Sequence, residues 1–216
     1  MDYHIESTCQ IVGLNQLYLS IFGYRTNGTF VEVGAYNGIT FSNTYGLALA
    51  DWHGLLFEPV PELYKQCVIN YCNLPNISIK QCCIGDVDGK VTLYLGDYLS
   101  TTNVDRVKIY SQLSWSSGWH VGQIEVPIFT LNTVLAQQLW PVSFDLLVVD
   151  VEGTELEVLK SFNLSYWCPH MVIVEACEMH PDHRLSNQAS EINKIFLDAH
   201  YKKIYCDTVN TIFISS

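Results

Sequence analysis

Three clusters in this chain have residue types and spacings that could do chemistry. The first is Glu32-Val33-Gly34-Ala35-Tyr36-Asn37-Gly38, which continues the β-rich run TFVEV. Two glycines four apart let a backbone pass close to a ligand with no Cβ in the way. Alone, such a pair also fits a plain strand-to-helix turn. The second cluster is Glu58-Pro59, closing the apolar run GLLF, 24 residues after Gly34. An acid at that place can accept both hydroxyls of a ribose. The competing reading is a solvated acid at a strand end; the four residues before it and the proline after it favour the mouth of a crevice. The third cluster is Asp150-Val151-Glu152-Gly153, closing FDLLVV. Asp150 and Glu152 could bind an ammonium, orient an acceptor or bind a metal ion. With no third ligand evident in the sequence, no metal site is expected. Past the next apolar run, His180 has an imidazole suited to base catalysis near neutral pH. A solvated loop histidine is the plainer reading, and Asp182 and His183 are weaker versions of the same idea. His120, with Trp115 and Trp119 able to stack on a sugar ring, could take part only if residues 97–124 fold over the site.

The loop chemistry narrows the ligand. A dinucleotide needs G-x-G-x-x-G so that its pyrophosphate can sit on a helix N-terminus. Position 36 is Tyr, and the acidic Glu32 stands beside the loop. An acid there suits an ammonium or sulfonium centre better than a pyrophosphate. S-adenosylmethionine has both centres, a ribose and no phosphate.

These clusters need elements to position them. Residues 8–23 have apolar residues at helical spacing. TFVEVGA (29–35), HGLLFEP (53–59) and NISIKQCCIGD (76–86) read as strands, separated by helices over 40–51 and 61–73, with Thr40 or Ser42 as candidate caps. KVTLYLG alternates like a hairpin strand after Asp88-Gly89, and residues 97–124 show no clear period. A strand and short helix follow in EVPIFTLNTVLAQQL. FDLLVVDVEG, TELEVLKSF, HMVIVEAC and residues 186–200 then alternate strand and helix, and YKKIYCD with NTIFIS form a closing hairpin. Near-continuous apolar strands alternating with helices predict an α/β doubly wound parallel sheet, with ligands at the carboxyl ends of its strands.

FVEVGAYNGITFSNTY, GLLFEPVPELYKQC, IGDVDGKVTLY, EVPIFTLNTVL and DLLVVDVEGTELEVL, in that order, resemble the FkbM-type family of S-adenosylmethionine-dependent methyltransferases. The resemblance implies a class I, Rossmann-like methyltransferase sheet, mostly parallel with an antiparallel last strand, over residues 29–216. Residues 1–28 are then an N-terminal helical extension that could cover the crevice or mediate self-association, a homodimer included. Position by position, the resemblance implies Glu32, Gly34, Ala35 and Gly38 as the cofactor loop and Glu58, with Pro59 beside it, as the ribose acid. It places Cys83, Ile84 and Asp86 along the adenine, Ser42 and Asn43 at the methionine end, and Asp150 and Glu152 at the methyl group. Two positions depart from the family pattern. Val148 replaces a frequent Lys, and Leu131-Asn132-Thr133 replaces a frequent L-D-D.

Composition sets the outer limits. Of 216 residues 49% are hydrophobic and 15% charged, with a net charge of −11. The longest basic run is Lys202-Lys203, so neither nucleic acid nor an anionic membrane surface is an expected partner. No secretion signal precedes Glu32, no C-x-x-C pair occurs among eight cysteines, and a reducing cytoplasm is expected. The leading expectation is an O-methyltransferase using S-adenosylmethionine on a hydroxyl of a sugar, glycan or other small metabolite. The alternatives are a nicotinamide-dependent oxidoreductase, which the missing G-x-G disfavours, and a non-catalytic S-adenosylmethionine-binding protein.

Overall fold

The structure, a computed structural model, describes residues 2–112, 122–176 and 188–216. Ten strands are described: β1 (Thr29–Val33), β2 (His53–Phe57), β3 (Ile77–Lys80), β4 (Cys83–Ile84), β5 (Gly89–Leu95), β6 (Gly122–Phe129), β7 (Leu146–Val149), β8 (Met171–Glu175), β9 (Tyr201–Cys206) and β10 (Asn210–Ser215). The helices are α1 (Leu14–Phe22), α2 (Tyr45–Leu49), α3 (Pro61–Asn70), α4 (Val104–Gln112), α5 (Leu131–Gln137), α6 (Glu155–Lys160), α7 (Leu164–Trp167) and α8 (Gln188–Asp198).

Seven strands form one sheet in the order β3-β2-β1-β7-β8-β10-β9, parallel except for β10, which runs antiparallel to both its neighbours. Strand order reverses between β1 and β7, where Val33 pairs with Val149. That is the switch point at which a crevice opens beyond the strand ends. The middle of the sheet is covered on both faces, which is why its central strands are nearly unbroken apolar runs: β7 is buried along its whole length. One face packs Val31, Leu55, Leu147 and Val172 against α5, α6 and α8. The other packs Phe30, Leu56, Leu146 and Ile173 against α1, α2 and the segment carrying Tyr3 and Ile5.

Several elements differ from the sequence reading, each for a local reason. The helix expected over 8–23 starts at Leu14, because Gly13 takes a left-handed φ of 78° that no helix continues through. The helix expected over 40–51 starts at Tyr45; Ser42 caps it from outside, its Oγ accepting from the backbone N–H of Thr44 and Tyr45 at 3.2 and 3.0 Å. The strand expected over 76–86 is two strands in two sheets: β3 extends the main sheet, while β4 pairs with β6 in a small β4-β6-β5 sheet. Residues 97–124 are not without structure, for they contain α4. The N-terminal segment is part of the core, with Tyr3, Ile5, Ile11, Leu14 and Tyr18 all buried in it. Among the described residues no helix is long and apolar enough to cross a membrane.

Candidate active site

A cavity of about 390 Å³ opens beyond the carboxyl ends of β1, β2, β7 and β8. Its floor is the crossing of two loops. The N–H groups of Gly34 and Ala35 both donate to Phe57 O at 3.0 Å, and Asp150 N donates to Val33 O at 3.0 Å. Gly34 has φ 91°, and a Cβ on it would overlap the carbonyl oxygen of Asp150. Glycine is required there for two reasons at once, close approach and backbone conformation.

Glu58 is 4% exposed and lines the cavity. Its Oε2 accepts from Tyr36 N at 2.9 Å and its Oε1 from Val60 N at 2.8 Å. These two bonds fix the carboxylate and leave each oxygen a further lone pair. Burial pushes the acid up to about 8 in spite of them. Glu32, also buried, accepts from Thr44 Oγ1 at 2.8 Å. Burial raises it to about 8, with the Thr44 hydroxyl opposing and the charge of Asp150 adding. It therefore ties β1 to the turn that carries Ser42 and Asn43.

Asp150, Glu152 and Glu175 are half-buried, with carboxylate oxygens within 4.8 Å of one another. Glu152 sits at φ 58° and receives Tyr110 Oη at 2.6 Å, while its backbone carbonyl receives Thr101 Oγ1 at 2.8 Å. The loop is shaped from beneath by buried Glu155, whose Oε1 accepts from Val151 N and Gly153 N at 3.2 and 2.9 Å. A Cβ on Gly153, at φ 105°, would overlap the Arg106 side chain. Burial and the charge of Asp150 push Glu152 up to about 8, against the Tyr110 hydrogen bond. Burial raises Asp150 and Glu175 too; the charges of Glu152 and Asp150 raise Glu175 further, and the hydrogen bond between Asp150 and Glu175 opposes the rise in Asp150. The three could together hold a divalent cation, which would need all three deprotonated.

Of the residues singled out in the sequence, the cavity brings together Glu32, Gly34, Ala35, Ser42, Asn43, Glu58, Pro59, Cys83, Ile84, Asp150 and Glu152. It does not reach Gly38, whose left-handed backbone instead makes room for the Tyr71 ring. Nor does it reach Asp86, which is exposed on the turn after β4. His180, Asp182, His183, His120, Trp115 and Trp119 lie outside the described residues. The sequence reading looks to the strand end after Val174 but does not single out Glu175, although it ends an apolar strand just as Glu58 does. It also missed Tyr110, Thr101 and Glu155, which no local pattern marks, and Gln10 and Ile11 on the cavity wall. Asn132, one of the departures from the family pattern, accepts from Asn163 N and Trp167 Nε1 at 3.0 and 2.7 Å. It pins α5 to α7, away from the site. Val148, the other departure, is buried in β7 and lines the cavity.

A sheet in this order with a crevice at its switch point is the class I methyltransferase fold. The sequence model of the methyltransferase FkbM domain matches residues 32–203, and the chain belongs to that family. Among solved structures, it is similar to methyltransferase FkbM from Methylobacillus flagellatus KT (12% identity, TM-score 0.57), covering 97% of this chain and 49% of that one. It is also similar to the METTL16 MTase domain (11% identity, TM-score 0.52), covering 93% of this chain and 65% of the other. At such identities the likeness is one of fold, and the chain spans about half the length of the Methylobacillus protein. No curated protein matches at a significant level.

The family and fold imply S-adenosylmethionine as cofactor, and the residues fit it. Gly34 leaves a cradle that a side chain would fill. Glu58 offers a fixed pair of acceptors for a ribose diol. Asn43, 7% exposed and on the cavity wall, has an Oδ1 with no hydrogen-bond partner among the described residues. A buried amide oxygen left unpaired there suits a site whose partner is a ligand.

Proposed function

We propose that this chain transfers a methyl group from S-adenosylmethionine to a hydroxyl of a sugar, glycan or other small uncharged metabolite. The observation that carries this reading is Glu58, a buried carboxylate pinned by two backbone N–H groups at the end of β2 with acceptor capacity left over. Bound there, S-adenosylmethionine supplies a methyl group activated by its sulfonium. The chain's part is to align the acceptor and take up its proton.

Glu58 receives the ribose hydroxyls. Asp150, the lower of the linked pair with Glu175, gives the cofactor's ammonium a carboxylate beside the Gly34 turn. Glu152 is the base: a carboxylate near 8 holds a proton far better than an exposed one, and its Oε accepts the acceptor's proton at neutral to alkaline pH. The walls support an uncharged acceptor. Glu32, Glu58, Asp97, Asp150, Glu152 and Glu175 all line the cavity, and no Lys, Arg or His does among the described residues. A phosphorylated acceptor would enter against all six.

Calorimetric titration with S-adenosylmethionine, S-adenosylhomocysteine and NAD is the first test. Binding of the first two and not the third is expected; NAD binding alone would return the oxidoreductase alternative. Radiolabelled S-adenosylmethionine, screened against neutral glycans and hydroxylated metabolites, then tests transfer. Tight cofactor binding with no labelled product across neutral acceptors would favour a non-catalytic binding protein.

A further inference from the structure

The amino-acid end of S-adenosylmethionine carries a carboxylate as well as an ammonium, and this cavity has little to meet it. With six acids on its walls and no basic side chain among the described lining residues, the carboxylate must be met by neutral donors. The Ser42 hydroxyl, whose oxygen accepts from the N–H groups of Thr44 and Tyr45, and the Thr44 hydroxyl both serve Glu32. The Asn210 amide, also on the wall, belongs to the residue paired in register with Glu175, beside the acid trio. Two further amide side chains stand on the wall, that of Asn43 on the turn itself and that of Gln10. Gln10 lines the cavity from the segment preceding β1, is exposed, and forms no hydrogen bond with a described residue.

That segment is fastened to the same turn. Thr8 Oγ1 donates to Ser42 O at 2.9 Å, and Tyr18 Oη donates to Asn43 O at 3.0 Å. Tyr3, Ile5, Ile11 and Leu14 are buried beside them, so Gln10 is flanked by residues that cannot drift. All of these residues precede the matched family domain, which begins at residue 32.

We propose that residues 2–22 are part of the cofactor site, with the Gln10 side-chain amide donating to the cofactor's carboxylate while Thr8 and Tyr18 hold the turn that carries Asn43. The inference rests on the S-adenosylmethionine reading above. The test is calorimetric titration of the full chain with two ligands: S-adenosylhomocysteine, which keeps the amino-acid end, and 5′-methylthioadenosine, which lacks it. Gln10→Ala should weaken the first about tenfold, the scale of one hydrogen bond to a charged group, and leave the second unchanged. Gln10→Glu adds a seventh acid and should weaken the first further; Gln10→Lys should restore it. Gln10 is exposed, so thermal melts of the variants should match the parent. The inference is overturned if all three variants bind S-adenosylhomocysteine like the parent, or if both ligands weaken alike. If the parent binds neither ligand, the cofactor reading itself fails and this inference falls with it.

Discussion

Glu58→Gln separates two effects that one carboxylate combines. Burial holds Glu58 near 8 in the folded chain, against an ordinary value of 4.5, even though two backbone N–H groups favour its charged form. Between those values the unfolded chain has released the proton and the folded chain still binds it. This group's contribution to stability is therefore full below 4.5 and is lost as pH rises through about 8. At roughly 1.4 kcal/mol per pH unit, the loss amounts to about 4–5 kcal/mol. Glutamine keeps one acceptor for the two backbone N–H groups that Glu58 satisfies, so near pH 5.5 the variant should be less stable than the parent by about 1–3 kcal/mol. Between pH 5.5 and 8.5 the amide has no proton to lose, and the variant should gain about 3–4 kcal/mol on the parent. Binding should go the other way. Ribose hydroxyls donate, and so favour the charged carboxylate; the parent's affinity for S-adenosylhomocysteine should rise between about pH 6 and 8. The variant offers one acceptor and turns an NH₂ toward a donor, which should cost about 1–3 kcal/mol, or roughly 5- to 150-fold. Urea unfolding at the two pH values and calorimetry with S-adenosylhomocysteine measure both halves. Parallel pH profiles for the two chains would refute the burial argument, and an unchanged affinity would remove Glu58 from the ribose.

Gly34→Ala should be among the most damaging single changes, because the new methyl meets backbone rather than a side chain that can swing away. A loss of about 3–5 kcal/mol, seen as a fall in Tm on the order of 10 °C, is expected by calorimetric melting. Tyr110→Phe removes the hydrogen bond that holds Glu152 down, so Glu152 should bind its proton more tightly. The acidic limb of the pH–rate profile should move to higher pH; an unmoved limb would show that Glu152 is not the base. Glu155→Ala orphans the N–H groups of Val151 and Gly153 in the loop after β7 and should cost about 2–4 kcal/mol by urea unfolding. Equal stability of that variant would mean that the loop holds its shape without Glu155.

The alternation of apolar runs with helical spacing was enough to read the sheet, because strands covered on both faces leave an unbroken hydrophobic signature. The cavity's lining at the strand ends was equally legible: Gly34, Glu58 and Asp150 each stand where a strand ends, and strand ends can be counted in a sequence. What escaped was whatever the chain builds from distant pieces. Tyr110 reaches Glu152 from α4, in a stretch whose apolar residues keep no clear period, since only a single side of a short helix is buried. Gln10 and Ile11 meet the cavity through the packing of a segment that no strand register places. Asp86 and Gly38 failed in the opposite direction. They belong to the right local patterns, but the turn after β4 points Asp86 to solvent, and the Gly38 bend is spent on Tyr71.

The net charge of −11 thus hides a division of labour among the acids of the site. Glu32 and Glu155 use their oxygens on a hydroxyl and on backbone N–H groups, and so shape the loops that surround the cavity. Glu58 does both tasks, bonded to backbone on one side and open to the cavity on the other. Asp150, Glu152 and Glu175 face the cavity, and the Tyr110 hydroxyl and the charge of Arg106 oppose the rise in Glu152. Such clustering is unfavourable in the folded chain taken alone, since each acid is raised by burial and, for Glu152 and Glu175, by its neighbours' charge. A ligand that brings a cationic centre and hydroxyl donors relieves that cost, so binding and ionisation of these acids are linked. On the proposed reading, the strand ends give up stability in the empty chain and would recover it as affinity for the cofactor.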